Sequence, residues 1–322
     1  MESVFMYIPE SQIRGLLNYE ALIPAIRQAL NDYSAGQVEQ PLRQILRVKE
    51  PSRESGASES IGWFATMPVI AGDFMAVKTV TFYSGNAGIE GLPTHMAMIE
   101  LLDRATGQPL AVMDGRLITE MRTAAVSAVA VEALAPAHAQ TLGVLGSGVQ
   151  AGSHIEALRH VWPAFREPGN VRIWSRNGEK ATALAAEVGA TAVAIEEAAG
   201  CDVVVTVTSA SEPVLLGKWL APESLVVAVG AVGRQLRELD DEVMQGCLIA
   251  ESRQGAENES GDVLLSGARV YAELGEVLAG SAPALPPGRR VFKSLGMAIE
   301  DLTGAALVWR AQQSIANPDG PV

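Results

Sequence analysis

The segment Thr141-Leu-Gly-Val-Leu-Gly-Ser-Gly-Val-Gln-Ala151 constrains the fold of this chain more than any other. Residues 141–145 read as a short apolar strand, and Gly146-Ser147-Gly148-Val149-Gln150-Ala151 turns sharply and opens a helix. Each small residue has a job in such a unit. Gly146 allows the tight turn, Gly148 lets an anionic group approach the backbone, and Ala151 keeps the helix close to the sheet. Free N–H groups at the helix start attract a pyrophosphate. The implied ligand is a nicotinamide dinucleotide; a glycine turn used only for packing is the competing reading.

The surrounding sequence extends the pattern. Apolar stretches at residues 171–174, 203–207, 225–229 and 248–250 alternate with helical segments, which predicts a doubly wound parallel sheet, an α/β Rossmann domain. The first third has a different texture. Residues 19–33 carry apolar side chains at helical spacing up to a stop near Gly36. Strands are expected at 44–48, 62–67 and 74–83, with polar residues 50–60 as a mobile hairpin loop. Strands at 94–102 and 109–113 flank the turn Asp103-Arg-Ala-Thr-Gly107. A helix on an antiparallel sheet results, an α+β domain. At Thr119, a candidate N-cap, a helix of small residues leads into the second domain. Residues 281–288 read as a linker and 295–313 as a final helix. We therefore expect residues 1–118 and 291–322 to form an α+β substrate-binding and dimerisation domain, and 119–290 the Rossmann domain.

Composition excludes several classes. The 322 residues suit two domains, given a usual size of roughly 100–200 residues each. A formal net charge of −13 with no dense basic cluster argues against nucleic acid as partner. No apolar run is long enough to span a membrane, and residues 1–12 lack a basic stretch followed by an apolar one, so no membrane association and a cytoplasmic location are expected. Cys201 and Cys247 stand far apart without metal-ligand spacing, so neither a disulfide framework nor a metal site is expected.

The second strand of the dinucleotide domain ends Trp174-Ser175-Arg176-Asn177, where an enzyme specific for NAD usually places an acid for the ribose 2′-hydroxyl. Ser175 and Arg176 can instead donate to a 2′-phosphate, so NADP(H) is preferred over NAD(H). A solvated surface arginine is the alternative. Thr206 and Thr208 end the next strand where such a sheet meets its cofactor, although β-propensity alone also explains them. Thr123, Ser147, Val149, Gln150 and Val229 complete the expected cofactor contacts.

Several further motifs occur in order: Lys78-Thr-Val-Thr-Phe, Gly91-Leu-Pro-Thr-His95, Thr106-Gly-Gln-Pro-Leu110, Thr119-Glu-Met-Arg-Thr123, the dinucleotide turn, Arg237-Glu-Leu-Asp240, Glu259-Ser-Gly-Asp262 and Phe292-Lys-Ser-Leu-Gly296. Together they resemble the ornithine cyclodeaminase/mu-crystallin family along nearly the whole chain. The resemblance implies homodimers formed through the antiparallel domain, an active site between the two domains, and small α-amino or α-imino acids as substrates. It assigns the substrate carboxylate to Arg43, Lys78 and Arg122, with Thr94 and Glu259 also at the substrate. Charge-assisted donors suit that role, and Arg122 near a helix N-terminus would add a favourable field. Arg43 alone reads more readily as an exposed strand arginine. Lys78 is more telling, because it interrupts the apolar run 74–77, where an unpaired charge is costly.

Two departures select the reaction. Cyclodeaminating members carry a glutamate two residues before a Met-Pro pair and an aspartate in the loop after the fifth strand; this chain has Ala65 and Val232 there. Without that aspartate no general base is evident for amine oxidation. Reduction of a cyclic ketimine such as Δ1-pyrroline-2-carboxylate or Δ1-piperideine-2-carboxylate survives the loss, since the substrate arrives protonated on nitrogen. His95 is the candidate proton donor, with a structural histidine as the competing reading. Glu259 and Asp262 either orient the substrate cation or cap a turn. The alternatives are an ornithine cyclodeaminase or alanine-type dehydrogenase, and, from another class, a non-catalytic NADPH-dependent ligand-binding protein.

Overall fold

A computed structural model describes residues 6–49 and 60–316, which group into two compact units. Most of the loop expected at residues 50–60 lies outside the described residues.

The first unit contains residues 1–22, 36–119 and 297–322. Its chain runs through β1 (Met6–Ile8), α1 (Glu10–Leu16) and the start of α2 (Tyr19–Ser34). The Asn18 side chain accepts the Ala21 N–H at 2.9 Å and so starts α2. The strands β2 (Gln44–Lys49), β3 (Ser60–Ala71), β4 (Phe74–Phe82), β5 (His95–Asp103) and β6 (Pro109–Asp114) follow. Among the described residues they form a six-stranded sheet in the order β1-β6-β5-β4-β3-β2, antiparallel except for the β1–β6 pair. The β5–β6 turn forms as expected: Asp103 accepts from the Thr106 hydroxyl and N–H, bonds that hold its carboxyl below the usual range.

Alternation sorts the faces of this sheet. Ala65, Met67, Ala76, Lys78, Val80, Ile99, Leu101, Ala111 and Met113 are buried on one face. Strands β3, β4 and β5 pack there against the last helix, which runs from Ala298 to Ala316. The other face leaves Tyr7 56%, Leu46 64% and Met98 54% exposed.

The helix α3 (Gly115–Leu134) carries the chain into the second unit, residues 23–35 and 120–296. It starts four residues before Thr119, so Thr119 is not its N-cap. Asp114 accepts the Arg116 N–H at 2.8 Å instead, and a polar residue followed by glycine was the stronger start signal.

Here β7 (Leu142–Leu145), α4 (Val149–Val161), β8 (Val171–Trp174), α5 (Gly178–Val188), β9 (Thr191–Ala192), α6 (Ile195–Ala199) and β10 (Val203–Thr206) alternate as predicted, whereas β11 (Leu225–Ala228) and β12 (Cys247–Ala250) are each preceded only by a short 3-10 turn, Gly217–Trp219 and Val243–Gln245. The unit continues through α7 (Arg253–Glu259), α8 (Gly261–Ser266), β13 (Ala272–Glu273), α9 (Leu274–Leu278) and β14 (Arg290–Lys293); the final helix is α10 (Ala298–Ala316) of the first unit. The sheet order is β13-β12-β14-β11-β10-β7-β8-β9, with every pair parallel. Residues of β7, β10 and β11 are buried throughout, as expected for strands covered on both faces. Each such Val or Leu contributes about 1.5–3 kcal/mol. The chain re-enters the first unit at Met297, because residues 290–293 pair with β11 and β12.

Helices α3 and α4 meet through His154, whose imidazole lies 2.9 Å from the Ser127 hydroxyl and 2.7 Å from the Gln150 carbonyl; burial pushes its pKa down to about 4. Among the described residues, no helix is long and apolar enough to cross a membrane.

Candidate functional site

The dinucleotide turn lies at the C-terminal end of β7, the location at which open α/β sheets bind ligands. Gly146 has φ +134°, and a Cβ there would come within 2.8 Å of the Val207 carbonyl oxygen, so only glycine fits. Gly148 is the N-cap of α4 and has no side chain to satisfy the first-turn N–H groups; that of Ala151 turns back to the Gly148 carbonyl at 2.9 Å, and those of Val149 and Gln150 are left for an anion. Asn177, Ser252 and Ser260, by contrast, cap the starts of α5, α7 and α8 with their side chains. Val149 is 61% exposed beside the turn, and the Gln150 side-chain oxygen is buried without a hydrogen-bond partner. These features fit a dinucleotide pyrophosphate.

At the end of β8 the Ser147 hydroxyl donates to the Ser175 hydroxyl at 2.9 Å, and Arg176 is exposed beside them. The turn and the second strand thus bring two hydroxyls together, with Arg176 next in the chain and no acid among these three residues. On the other side of β7, Thr206 and Thr208 both donate their hydroxyls to the buried Glu238, at 2.9 and 2.7 Å. Val229 is nearly buried, and Thr123 is buried in α3 with its carbonyl accepting from Ser127.

Glu238 accepts three further bonds, from the N–H groups of Thr208, Gly230 and Ala231 at 2.6, 2.7 and 3.1 Å. The N–H groups of Glu238 and Leu239 donate in turn to Asp262 Oδ1 at 2.8 and 3.0 Å. Asp262 Oδ2 pairs with Lys293 Nζ at 2.9 Å, and Lys293 also donates to the Ala231 carbonyl at 3.0 Å. Asp262 therefore holds backbone and a lysine inside the protein, which resolves its two readings towards structure. Glu259, the last residue of α7, stays half-buried.

In the first unit the sheet register brings two predicted residues together. Met67 lies opposite Lys78, and continuing the β2–β3 register by one residue sets Arg43 opposite Met67 on the other side. Arg43, half-buried, thus stands one residue outside β2, next to the row that holds Met67 and Lys78. Lys78 Nζ meets Asp301 Oδ2 at 2.5 Å, with both side chains 2% exposed. The Ala65 position is fully buried between Ile45 and Val80, in an apolar patch with Ala97 and Trp63. Trp63 stacks on Phe82 with ring centroids 5.7 Å apart. His95 opens β5 opposite Phe82, on the same face as Lys78 but four residues along the strand from its row, roughly 13 Å. Thr94, half-buried, gives its carbonyl to the Tyr83 N–H.

Arg122 is 5% exposed and two turns inside α3, so the helix N-terminal field invoked for it does not reach it. What seats its guanidinium is Gly296. This residue has φ +81°, and a Cβ on it would lie 2.5 and 2.6 Å from Nη1 and Nη2 of Arg122. The turn is fixed by Glu251, whose carboxylate accepts the Leu295 and Gly296 N–H groups at 3.0 and 2.8 Å. Glu251 and Gly296 follow β12 and β14, so this anchor also stands at the C-terminal edge of the parallel sheet.

Sequence reasoning missed Asp301, Glu238, Glu251 and the pairing of Lys293. Asp301 follows Glu300 in the first turn of α10, where an acid reads as an ordinary helix-start residue. Its one signal is Lys78, which needs a counter-charge once buried.

Comparison with known proteins places this geometry. Residues 4–314 match the sequence profile of the ornithine cyclodeaminase/mu-crystallin family. The chain is 44% identical over 303 residues to the ketimine reductase mu-crystallin of Rattus norvegicus, covering 91% of this chain and 92% of that one. Among solved structures it resembles the Thermococcus litoralis Δ1-pyrroline-2-carboxylate reductase in complex with NADH and L-proline, with TM-score 0.86, 31% identity and 99% and 100% coverage. It also resembles an archaeal alanine dehydrogenase dimer with bound NAD, with TM-score 0.88, 26% identity and 98% coverage of both chains.

Proposed function

The chain belongs to the ornithine cyclodeaminase/mu-crystallin family, and from that premise we propose that it is an NADPH-dependent reductase of small cyclic ketimines. Its substrates are Δ1-pyrroline-2-carboxylate or Δ1-piperideine-2-carboxylate, and its products the cyclic L-amino acids. The observation that carries this reading is likeness along nearly the whole chain to a protein named a ketimine reductase. Val232 and Ala65 support it over cyclodeamination, because neither position offers a base.

When bound, the nicotinamide nucleotide supplies a hydride, which the C=N carbon accepts while nitrogen keeps its proton, leaving a ring amine. The protein's task is to grip and orient. We assign the substrate carboxylate to Arg43, Lys78 and Arg122, with Thr94 and Glu259 beside it. Asp301 holds the Lys78 ammonium in place. His95 remains the candidate proton donor should the imine arrive neutral. The apolar wall of Ala65, Val80, Trp63 and Phe82 adjoins Lys78 on its face of the sheet and would exclude water from an anion held there.

We infer NADP(H) as the preferred cofactor, with Ser147, Ser175 and Arg176 receiving the 2′-phosphate. Arg176→Asp is expected to shift the NADPH/NADH preference in kcat/KM by at least about tenfold towards NADH. An unchanged ratio would remove Arg176 from the site. We also infer a homodimer through the exposed sheet face bearing Tyr7, Leu46 and Met98, by analogy with the dimeric alanine dehydrogenase. Two free thiols suit a cytoplasmic enzyme.

The direct test follows NADPH absorbance with purified protein and each cyclic ketimine. Turnover is expected with at least one. Tight NADPH binding without turnover of any would favour a ligand-binding protein, and ammonia release from ornithine with the oxidised cofactor would favour a cyclodeaminase.

A further inference from the structure

Three motifs of the second unit converge on one buried network that no step above uses. Glu238 comes from the loop after β11, Asp262 from α8, and Lys293 from the end of β14, and they are at most 1% exposed. None of them can touch a ligand from so deep, yet what they hold lies at the C-terminal edge of the sheet. Glu238 takes five donors, three of them backbone N–H groups in the segments leaving β10 and β11. Lys293 takes the Ala231 carbonyl, and the Gly261 N–H takes the Gly233 carbonyl at 3.0 Å. Residue 232 is thereby fixed from both sides, and Val232 itself is 39% exposed.

The sheet order says what this edge faces. The 2′-phosphate residues follow β8, on one side of β7, and the pyrophosphate turn follows β7 itself. A dinucleotide extended across the edge therefore lays its nicotinamide half over β10 and β11, on the other side. We propose that Glu238, braced by Asp262 and Lys293, is a positioning residue for the nicotinamide half of the cofactor. It does so by locking the segments 207–208 and 229–233 into one arrangement. The donors it absorbs would otherwise compete for cofactor oxygens, and a loop carrying loose N–H groups would bind the nicotinamide in several poses.

This proposal rests on the dinucleotide reading, and the test separates the two. Wild-type protein is first titrated with NADPH and NADH by fluorescence. Binding of neither would overturn the dinucleotide reading and the proposal with it. Glu238→Gln then keeps side-chain size but points an NH2 group at N–H and O–H donors. It is expected to weaken NADPH binding about tenfold. The primary deuterium isotope effect on kcat with 4-deuterated NADPH should rise, while KM for the ketimine changes less than about twofold. A role in folding alone lowers Tm but moves neither the isotope effect nor the nucleotide Kd of the folded protein.

Should Glu238→Gln not fold, Thr206→Val serves. Thr206 is fully buried, so losing its hydroxyl can reach the cofactor only through Glu238. A weakening of about threefold is then expected, matching one net hydrogen bond at the low end. NADPH binding by wild type with unchanged affinity and isotope effect in the folded variant would overturn the proposal and leave the dinucleotide reading intact.

Discussion

A Lys78→Met variant is expected to lose about three orders of magnitude in kcat/KM towards a cyclic ketimine while binding NADPH as the parent does. Lys78 is buried in the first unit, and nothing in the dinucleotide turn depends on it. An ammonium that deep survives only beside an opposite charge, here Asp301 at 2.5 Å. Removing it takes the ammonium away from a buried carboxylate, which costs about 3–5 kcal/mol. Loss of activity by itself would therefore not distinguish chemistry from damage. The double variant Lys78→Met, Asp301→Asn removes both charges, and its Tm should recover most of the loss because a neutral pair of similar size is well tolerated. Turnover should stay lost. If turnover returns with Tm, the lysine is structural and the carboxylate clamp is misassigned.

Gly296→Ala should raise KM for the ketimine about a hundredfold, with NADPH Kd within about twofold of wild type. Two physical effects act together. The left-handed backbone at φ +81° costs a non-glycine residue about 1–2 kcal/mol. The added methyl also occupies the space of the Arg122 guanidinium, whose nitrogens lie 2.5 and 2.6 Å from it. A displaced guanidinium loses its charge-assisted, directional bonds to a carboxylate, so binding of that anion suffers first. Steady-state kinetics compared with Arg122→Ala make the check. If Gly296→Ala keeps the parental KM while Arg122→Ala loses it, the glycine does not seat the arginine.

The parallel sheet was legible because its central strands, residues 142–145 and 225–228, are uninterrupted apolar runs, and because residues 171–174, which carry Arg172, and 203–206 are bounded by turn signals. Arg290-Val-Phe-Lys293 escaped notice for the opposite reason. It is four residues long, carries a charge at each end, and follows a proline-rich stretch, so it looks like linker. Its lysine is tolerated only because Asp262, 31 residues earlier, supplies the counter-charge. Long-range pairing of that kind leaves no trace in local periodicity. The same holds for Lys78 and Asp301: the sequence showed a lysine where apolar residues belong but not its partner. The start of α3 was misjudged because Thr119 fits a capping pattern that Asp114 already satisfies one turn earlier.

Strand β14 lies between β11 and β12, although it is the last strand among the described residues. On a ribosome, β11 and β12 are therefore finished well before the strand that joins them. Until residue 293 has emerged, each presents an unpaired row of N–H and C=O groups, the template on which nascent chains pair wrongly. Closing the sheet demands contacts across more than 60 residues, from Leu225 to Arg290, which makes the step slow as well as late. Slower completion of this one short strand is therefore expected to lower expression yield, and truncations that stop before residue 290 should meet proteases and chaperones as an open sheet.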